Sequence, residues 1–344
     1  MRFFQPRAAI WAFSVAHTVL GHAGIHGIYI NGQDQGKDVC VRMNQDGNHW
    51  NEPVENLSSS DMACGVTGTK GVNRVCPVPD GATITFEWGE SPDKFNARVI
   101  DISHVGPCTV YMKKVDSAIS DTAAGDGWFK IFDEGYDEAT QKWCVNKLID
   151  NGGYLSAPIP KGLVGGSYLV RAELLALQNA IHGDPQYYIG CAQIFLNSSG
   201  NKIPAKTVAI PGIVSKTDVS DSFNVYDRPL KLPYPVPGPA VAELVNNGKA
   251  SQAKQTEGVK PAGCICESGS AFCGVEVPEY SSGDEAGCWA SSQNCWDQNQ
   301  KCYDNNPPTG VQSCQAWMGK CNAINADCKA KRAGPANRGQ DITP

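Results

Sequence analysis

The sequence predicts an all-β protein: an antiparallel β-sandwich with long loops, followed by a small C-terminal α-helical hairpin stapled by disulfides. Three observations predict it. From His22 to about Pro239 the chain offers short alternating segments and no long 3.6-residue periodicity. Breaks such as Pro79-Asp80-Gly81 and Gly165-Gly166 punctuate those segments, as turns do between the strands of a sandwich. Beyond Cys264 the cysteines fall into two trios spaced by seven residues, a spacing that a helix lays along one face.

The elements follow in order. Residues 1–21 open with Arg2 and Arg7, continue through the apolar run Ala8 to Leu20, and close on Val19-Leu20-Gly21. That pattern predicts a secretory signal peptide rather than a buried N-terminal helix, and it is too short for a membrane anchor. Export suits a chain with 15 cysteines in 344 residues, because secreted proteins oxidise their thiols. The sequons at Asn56 and Asn197 are glycosylation acceptors on such a route. The expected location is extracellular.

Residues 22–240 form the predicted sandwich. In Thr83 to Trp88, Ile84, Phe86 and Trp88 share one face against Thr83, Thr85 and Glu87. Tyr168 to Leu175 and Ile189 to Leu196 read as buried strands, with others near His26 to Ile30, Cys108 to Lys113 and Gly127 to Phe132. The long connections Gln33 to Pro79 and Gly89 to Pro107 are the expected seats of function. Residues 241–263 turn polar and read as a linker. Residues 264–328 hold nine of the 15 cysteines, and 329–344 read as a disordered tail.

Folding the two C-terminal helices antiparallel about Pro307-Pro308-Thr309-Gly310 aligns Cys288 with Cys328, Cys295 with Cys321, and Cys302 with Cys314. Three disulfides are expected there. A metal cluster is the alternative, but the even ladder lacks the short paired knuckles of zinc sites. Trp289, Trp296 and Tyr303 each follow a ladder cysteine and share a face, with Trp317 on the partner helix. Such a row either packs as core, the preferred expectation, or stacks on sugar rings. Cys264, Cys266 and Cys273 remain, leaving one further pair and one odd thiol.

Composition excludes several classes. A net charge of −6 supplies no basic field, so nucleic acid is not an expected partner. No apolar run reaches the roughly 18–20 residues of a membrane span. At 41% hydrophobic residues the chain is not wholly disordered.

The chemistry starts at His22. Cleavage after Gly21 leaves it as the N-terminus, where the α-amine and imidazole Nδ1 can chelate one metal ion together. The free amine has a pKa near 8, so a metal can displace its proton at neutral pH. A second imidazole completes a T-shaped set of nitrogens that suits copper. His104, in Ser103-His-Val-Gly-Pro107 just before a predicted strand, supplies it. The third element is Gln186-Tyr187-Tyr188-Ile189-Gly190-Cys191. There Tyr188 can bring a phenol to the metal, and Gln186 an amide to a bound oxygen species. Each has a bland alternative: an incidental terminal His, a hydrogen-bonded loop His, a packed Tyr, a solvated Gln.

Together the elements are specific. His22-Ala-Gly-Ile-His-Gly-Ile-Tyr-Ile-Asn31-Gly32, His104-Val-Gly-Pro107 and Gly183-Asp-Pro-Gln-Tyr-Tyr-Ile-Gly-Cys-Ala-Gln193 occur in the order and spacing of one family. The chain resembles, over about residues 22–240, the fungal lytic polysaccharide monooxygenases of auxiliary activity family 9, formerly glycoside hydrolase family 61. Gly127-Trp-Phe-Lys-Ile131, Tyr168-Leu-Val-Arg-Ala-Glu173 and Tyr234-Pro-Val-Pro-Gly-Pro239 support it.

The resemblance implies an immunoglobulin/fibronectin-III-like sandwich holding one copper ion. His22 would bind through its amine and Nδ1, His104 through an imidazole nitrogen, and Tyr188 as the buried axial group. Gln186 would lie behind the metal, and Tyr234 on the flat substrate face. Disulfides between Cys64 and Cys191, Cys108 and Cys144, and Cys40 and Cys76 are implied in the same way. The implied reaction is oxidative cleavage of cellulose or a related β-glucan beside C1 or C4, by a monomeric enzyme. It uses an external electron donor, either a small reductant or a cellobiose dehydrogenase-like protein, and dioxygen or hydrogen peroxide. One departure stands out: relatives usually carry a His behind the metal where this chain has Gln178; either His182, four residues on, fills the same space or the surroundings of the metal differ.

Two rivals have different signatures. A glycoside hydrolase needs two carboxylates facing across a sugar; candidates such as Glu90, Asp93 and Asp101 share one connection, but no motif fixes them as a pair. A non-catalytic polysaccharide- or copper-binding wall protein would bind without giving oxidised product.

Overall fold

The computed structural model describes residues 21–44, 50–91, 98–250, 253–269, 272–305 and 311–343. The expected signal peptide except Gly21, Asp93 and the turn at 307–310 lie outside them.

Eight strands carry the sandwich: β1 (Gly24–Ile30), β2 (Thr83–Gly89), β3 (Cys108–Lys114), β4 (Gly125–Glu134), β5 (Tyr154–Pro158), β6 (Val164–Ala176), β7 (Gln186–Ser199) and β8 (Val208–Ile210). One sheet has the order β5-β2-β1 and ends on the short strand Gln33–Asp34. The other runs β8-β4-β3-β6-β7 and ends on Val41–Arg42. All these neighbours are antiparallel, and Cys76–Pro79 adds a parallel partner to β7. The fold is the antiparallel sandwich that the sequence predicts.

Alternation in β2 puts Ile84 and Phe86 fully inside and Trp88 at 2% exposure. Its register with β1 sets Phe86 opposite Ile28, and both join Val110, Val170, Leu174 and Ile194 between the sheets. Burying each such aliphatic side chain is worth about 1.5–3 kcal/mol. The second sheet is covered on its outer face too. Trp128, Leu169, Leu175, Tyr187 and Phe195 pack there under long loops that contribute Trp143, Phe223 and Tyr234. Burial on both faces explains why β6 and β7 read as nearly continuous apolar runs instead of alternating ones.

Disulfides join Cys40 to Cys76, Cys64 to Cys191 and Cys108 to Cys144. The last ties β3 to helix α1 (Cys144–Asp150).

In the C-terminal module α2 (Glu285–Asp304) and α3 (Gln312–Ala330) form the hairpin. Asp284 starts α2 by accepting from Gly287 N at 3.0 Å, which satisfies one donor of the open helix end. Cys288 bonds Cys328, Cys295 bonds Cys321, and Cys302 bonds Cys314. Cys264 pairs with Cys273 across a small ribbon, leaving Cys266 as a buried free thiol. Trp317 is fully buried and donates its indole N–H to Cys295 O at 3.0 Å. In the row Trp289, Trp296 and Tyr303, the last two pack against the module core as expected, and Trp289 departs from it. Trp289 is 41% exposed, and the other two are only partly buried.

Two boundaries also change. The linker read at 241–263 packs against the sandwich. Leu244–Asn246 pairs with Lys202–Pro204, Gln255 Nε2 donates to Val75 O at 2.8 Å, and Glu257 accepts from Ser117 Oγ at 2.6 Å. The tail read as disordered from 329 folds back over the module. Tyr280 and Gly334 exchange backbone hydrogen bonds, Ile342 N donates to Ile265 O at 2.7 Å, and Lys260 pairs with Asp341 at 2.6 Å. Composition misjudges both segments because backbone groups and single carboxylates hold them, with few large apolar side chains.

Candidate metal centre

Three parts of the chain converge at one edge of the sandwich. His22 lies two residues before β1, His104 sits on the loop entering β3, and Gln186 and Tyr188 open β7. Tyr188 faces inward opposite Leu174 of β6 and is 1% exposed. The imidazoles of His22 and His104 each lie 6.0 Å, centroid to centroid, from its ring. The structure therefore brings His22, His104, Tyr188 and Gln186 together.

His104 is fixed by a local turn. Its N–H donates to Asp101 O at 2.9 Å, and Asp101 Oδ1 accepts from Ser103 N at 2.9 Å, the habit of an Asp that closes its own turn. Ser103 Oγ lies 3.3 Å from Nδ1. Burial pushes the imidazole down to about 4; Asp101 opposes the shift, His22 adds to it and a Gln186 contact opposes it. The ring is thus neutral at neutral pH and keeps a lone pair for a metal. Burial also holds the Tyr188 phenol protonated, far above its ordinary range.

Behind the rings, Gln186 Oε1 accepts from Tyr188 Oη at 2.9 Å and from Gln178 Nε2 at 2.8 Å. Gln186 Nε2 points to Asp184 Oδ2 at 3.3 Å. A carboxylate only accepts, so Asp184 fixes which way the Gln186 amide faces, and that in turn makes Gln178 the donor. Gln178 Oε1 is left buried without a protein partner. His182 does not take this place. It ends a short 3-10 turn (Ala180–His182) and is exposed, so Gln178 alone stands behind Gln186.

Tyr234 is a correction. It is 8% exposed, packed edge-on against Trp143 at 4.8 Å and Phe223 at 5.0 Å, with its hydroxyl donated to Ser220 O at 3.1 Å. A ring so enclosed presents no face to a polymer. The exposed aromatic near the site is Tyr226, 57% exposed, whose hydroxyl donates to Gln178 O at 3.1 Å. Sequence reasoning missed it; the available signal was a Tyr amid the polar Asn224-Val-Tyr-Asp227 in a long connection.

Among the described residues no group of three or more His, Cys, Asp or Glu side chains can hold a metal. Two imidazoles need a further donor, and the α-amine of His22 is the nitrogen at hand once Gly21 is removed. Gly21 itself lies against His104: a Cβ there would come 2.6 Å from Cε1. The donor set fits a copper ion bound by nitrogen.

Of the carboxylates weighed for hydrolysis, Glu90 and Asp101 are otherwise engaged. Arg98 pairs with Glu90 at 3.1 Å and with Asp101 at 3.3 Å. Asn56 and Asn197 are both exposed.

Comparisons with known proteins point one way. The family model described as Auxiliary Activity family 9 (formerly GH61) matches residues 22–234. An AA9 family lytic polysaccharide monooxygenase C of Aspergillus tamarii is 48% identical over 343 residues, covering 96% of this chain and 91% of the relative. A monooxygenase A of the same family from Emericella nidulans is 45% identical, covering 95% of this chain and 58% of its own. A crystal structure described as a cellulose-active polysaccharide monooxygenase from M. thermophila superposes with a TM-score of 0.54 at 31% identity. It covers 65% of this chain and all of that one. The chain belongs to auxiliary activity family 9, the lytic polysaccharide monooxygenases, and is an oxidoreductase of oxidative polysaccharide cleavage.

Proposed function

We propose that the chain, matured to begin at His22, is a secreted, monomeric copper monooxygenase that cleaves β-1,4-glucan. Cellulose is the first substrate and hemicellulosic glucans the second, with oxidation at C1 or C4. An external electron donor, a small reductant or a cellobiose dehydrogenase-like protein, and dioxygen or hydrogen peroxide complete the reaction. One observation carries this reading: the His22 and His104 rings flank the buried Tyr188 ring at 6.0 Å each, so two imidazoles and the terminal amine can share one ion. The M. thermophila relative, described as cellulose-active, supports the substrate. For export, the leader pattern supports it, and among the described residues no helix is long and apolar enough to cross a membrane.

Bound copper supplies one-electron chemistry that activates the oxidant. The chain's own residues set its surroundings. His104 offers a neutral nitrogen, and His22 an imidazole and an amine on one residue. Tyr188 keeps its proton, donates a hydrogen bond from Oη to Gln186 Oε1, and lies buried beside the two imidazoles. Gln186 is held by Tyr188, Gln178 and Asp184, so its amide would keep one orientation towards an ion held by His22 and His104. Tyr226 offers an exposed ring near the site on which a pyranose can lie.

The test is mass spectrometry of soluble products from copper-loaded mature protein on amorphous cellulose, with and without ascorbate and with a chelator control. Aldonic-acid or 4-keto oligosaccharides that need both reductant and copper are the expected result. Binding to cellulose without any oxidised product would overturn this reading in favour of a non-catalytic wall-binding protein.

A further inference from the structure

The metal centre uses nothing from α2, yet that helix carries a regular stripe. Trp289, Gln293, Trp296, Gln300 and Tyr303 follow one another at intervals of four, three, four and three residues, so aromatic and amide alternate along one helix face. The stripe flanks the buried seam. Cys288, Cys295 and Cys302 are at most 2% exposed, and each aromatic follows one of them, turned about 100° around the axis. Trp289 is 41% exposed, Trp296 and Tyr303 rest partly against the module core, and both glutamines are exposed.

The glutamines are oriented as well. Gln293 Nε2 donates to Asp297 Oδ1 at 2.7 Å, and Gln300 Nε2 to Asp304 Oδ1 at 2.9 Å. Each amide gives one N–H to a carboxylate and keeps its second N–H and its carbonyl oxygen for a ligand. The stripe itself bears no charge. It offers nothing to phosphates of nucleic acid or anionic lipid, and glutamine at every other step is not what an apolar partner helix seeks. Rings alternating with acceptors suit a neutral polymer with C–H faces and hydroxyls. Successive rings are about 10.5 Å apart along the axis, a spacing suited to an extended chain that repeats every two sugars. The three disulfides pin α2 to α3, so the row is set before any ligand arrives.

We propose that this face of α2 binds a neutral β-linked polysaccharide chain, apart from the metal centre. The choice of polymer rests on the function proposed above; the face itself does not.

The experiment sediments full-length mature protein with microcrystalline cellulose in the presence of a chelator, so that no oxidation contributes. Trp289→Ala, and separately Gln293→Ala with Gln300→Ala, are compared with the parent. Near-ultraviolet circular dichroism and the Tm confirm that the module stays folded. Each variant is expected to bind about threefold to tenfold more weakly, the range for losing one ring or a pair of polar contacts. Oxidised product from a soluble cello-oligosaccharide should stay unchanged. Loss of binding in the variants supports the proposal even if the parent yields no oxidised product, which would sink only the enzymatic reading. Equal binding by parent and variants, or none by either, overturns it. So does concentration-dependent dimerisation of the parent that Trp289→Ala abolishes, because the face would then be a protein interface.

Discussion

Asp184 sets the direction of the hydrogen bonds behind the metal centre, and the amide of Gln178 follows it. The Gln178 NH2 and the Tyr188 hydroxyl together saturate Gln186 Oε1, while Asp184 holds the other end of that amide. Gln178→Leu removes one of the two donors and lets the Gln186 amide swing. A loss of about threefold to tenfold in turnover is expected, with copper affinity unchanged by calorimetry. His104 gives a pH signature. Burial holds its folded pKa at about 4, below the ~6.5 of an unfolded chain. Between those values the unfolded chain takes up a proton that the native one refuses. The metal-free protein should therefore keep its stability above pH 6.5 and lose roughly 1–3 kcal/mol as pH falls towards 4. Urea titrations at pH 7 and 4.5 measure this, and His104→Gln should flatten the difference. His22, His104, Gln186 and Tyr188 were legible because each sits in a short contiguous motif. Tyr226 and Tyr234 were not: which of two loop tyrosines is enclosed depends on Trp143 and Phe223, distant in sequence.

At the scale of elements, the strands of the sandwich were legible where one face is wet, as in β2, and equally where both are covered, as in β6. The helical hairpin was the plainest segment, because seven-residue spacing admits few arrangements. Its rungs close segments of 40, 26 and 12 residues. Chain entropy assigns about 4 kcal/mol to the outermost and about 3 kcal/mol to the innermost. Replacing Cys302 and Cys314 with Ser should thus destabilise the module less than replacing Cys288 and Cys328. Guanidinium unfolding followed by Trp317 fluorescence would rank the two. The segments 241–263 and 329–344 read as linker and tail in the sequence because the order of their described residues comes from backbone pairing and isolated carboxylates, which leave no apolar period.

For the whole molecule, the module is docked against the sandwich. Arg74 grips both carboxylate oxygens of Glu267 at 3.1 and 3.3 Å and also donates to Gly258 O. Arg74→Ala should leave each part folded and free the module to move. A larger radius of gyration by small-angle scattering and faster proteolysis within 247–263 are the expected signs. No composition argument could find this contact, since it joins residues 193 positions apart. The outermost rung has a mechanical consequence. Because Cys288 and Cys328 are bonded, a pull on one end of the module passes straight through that sulfur–sulfur link. Everything between them, the inner rungs and almost all of both helices, lies in a closed loop that carries no load. Tension applied between the two ends of the chain would then be borne by a covalent shunt, and the helices inside the loop would not carry it.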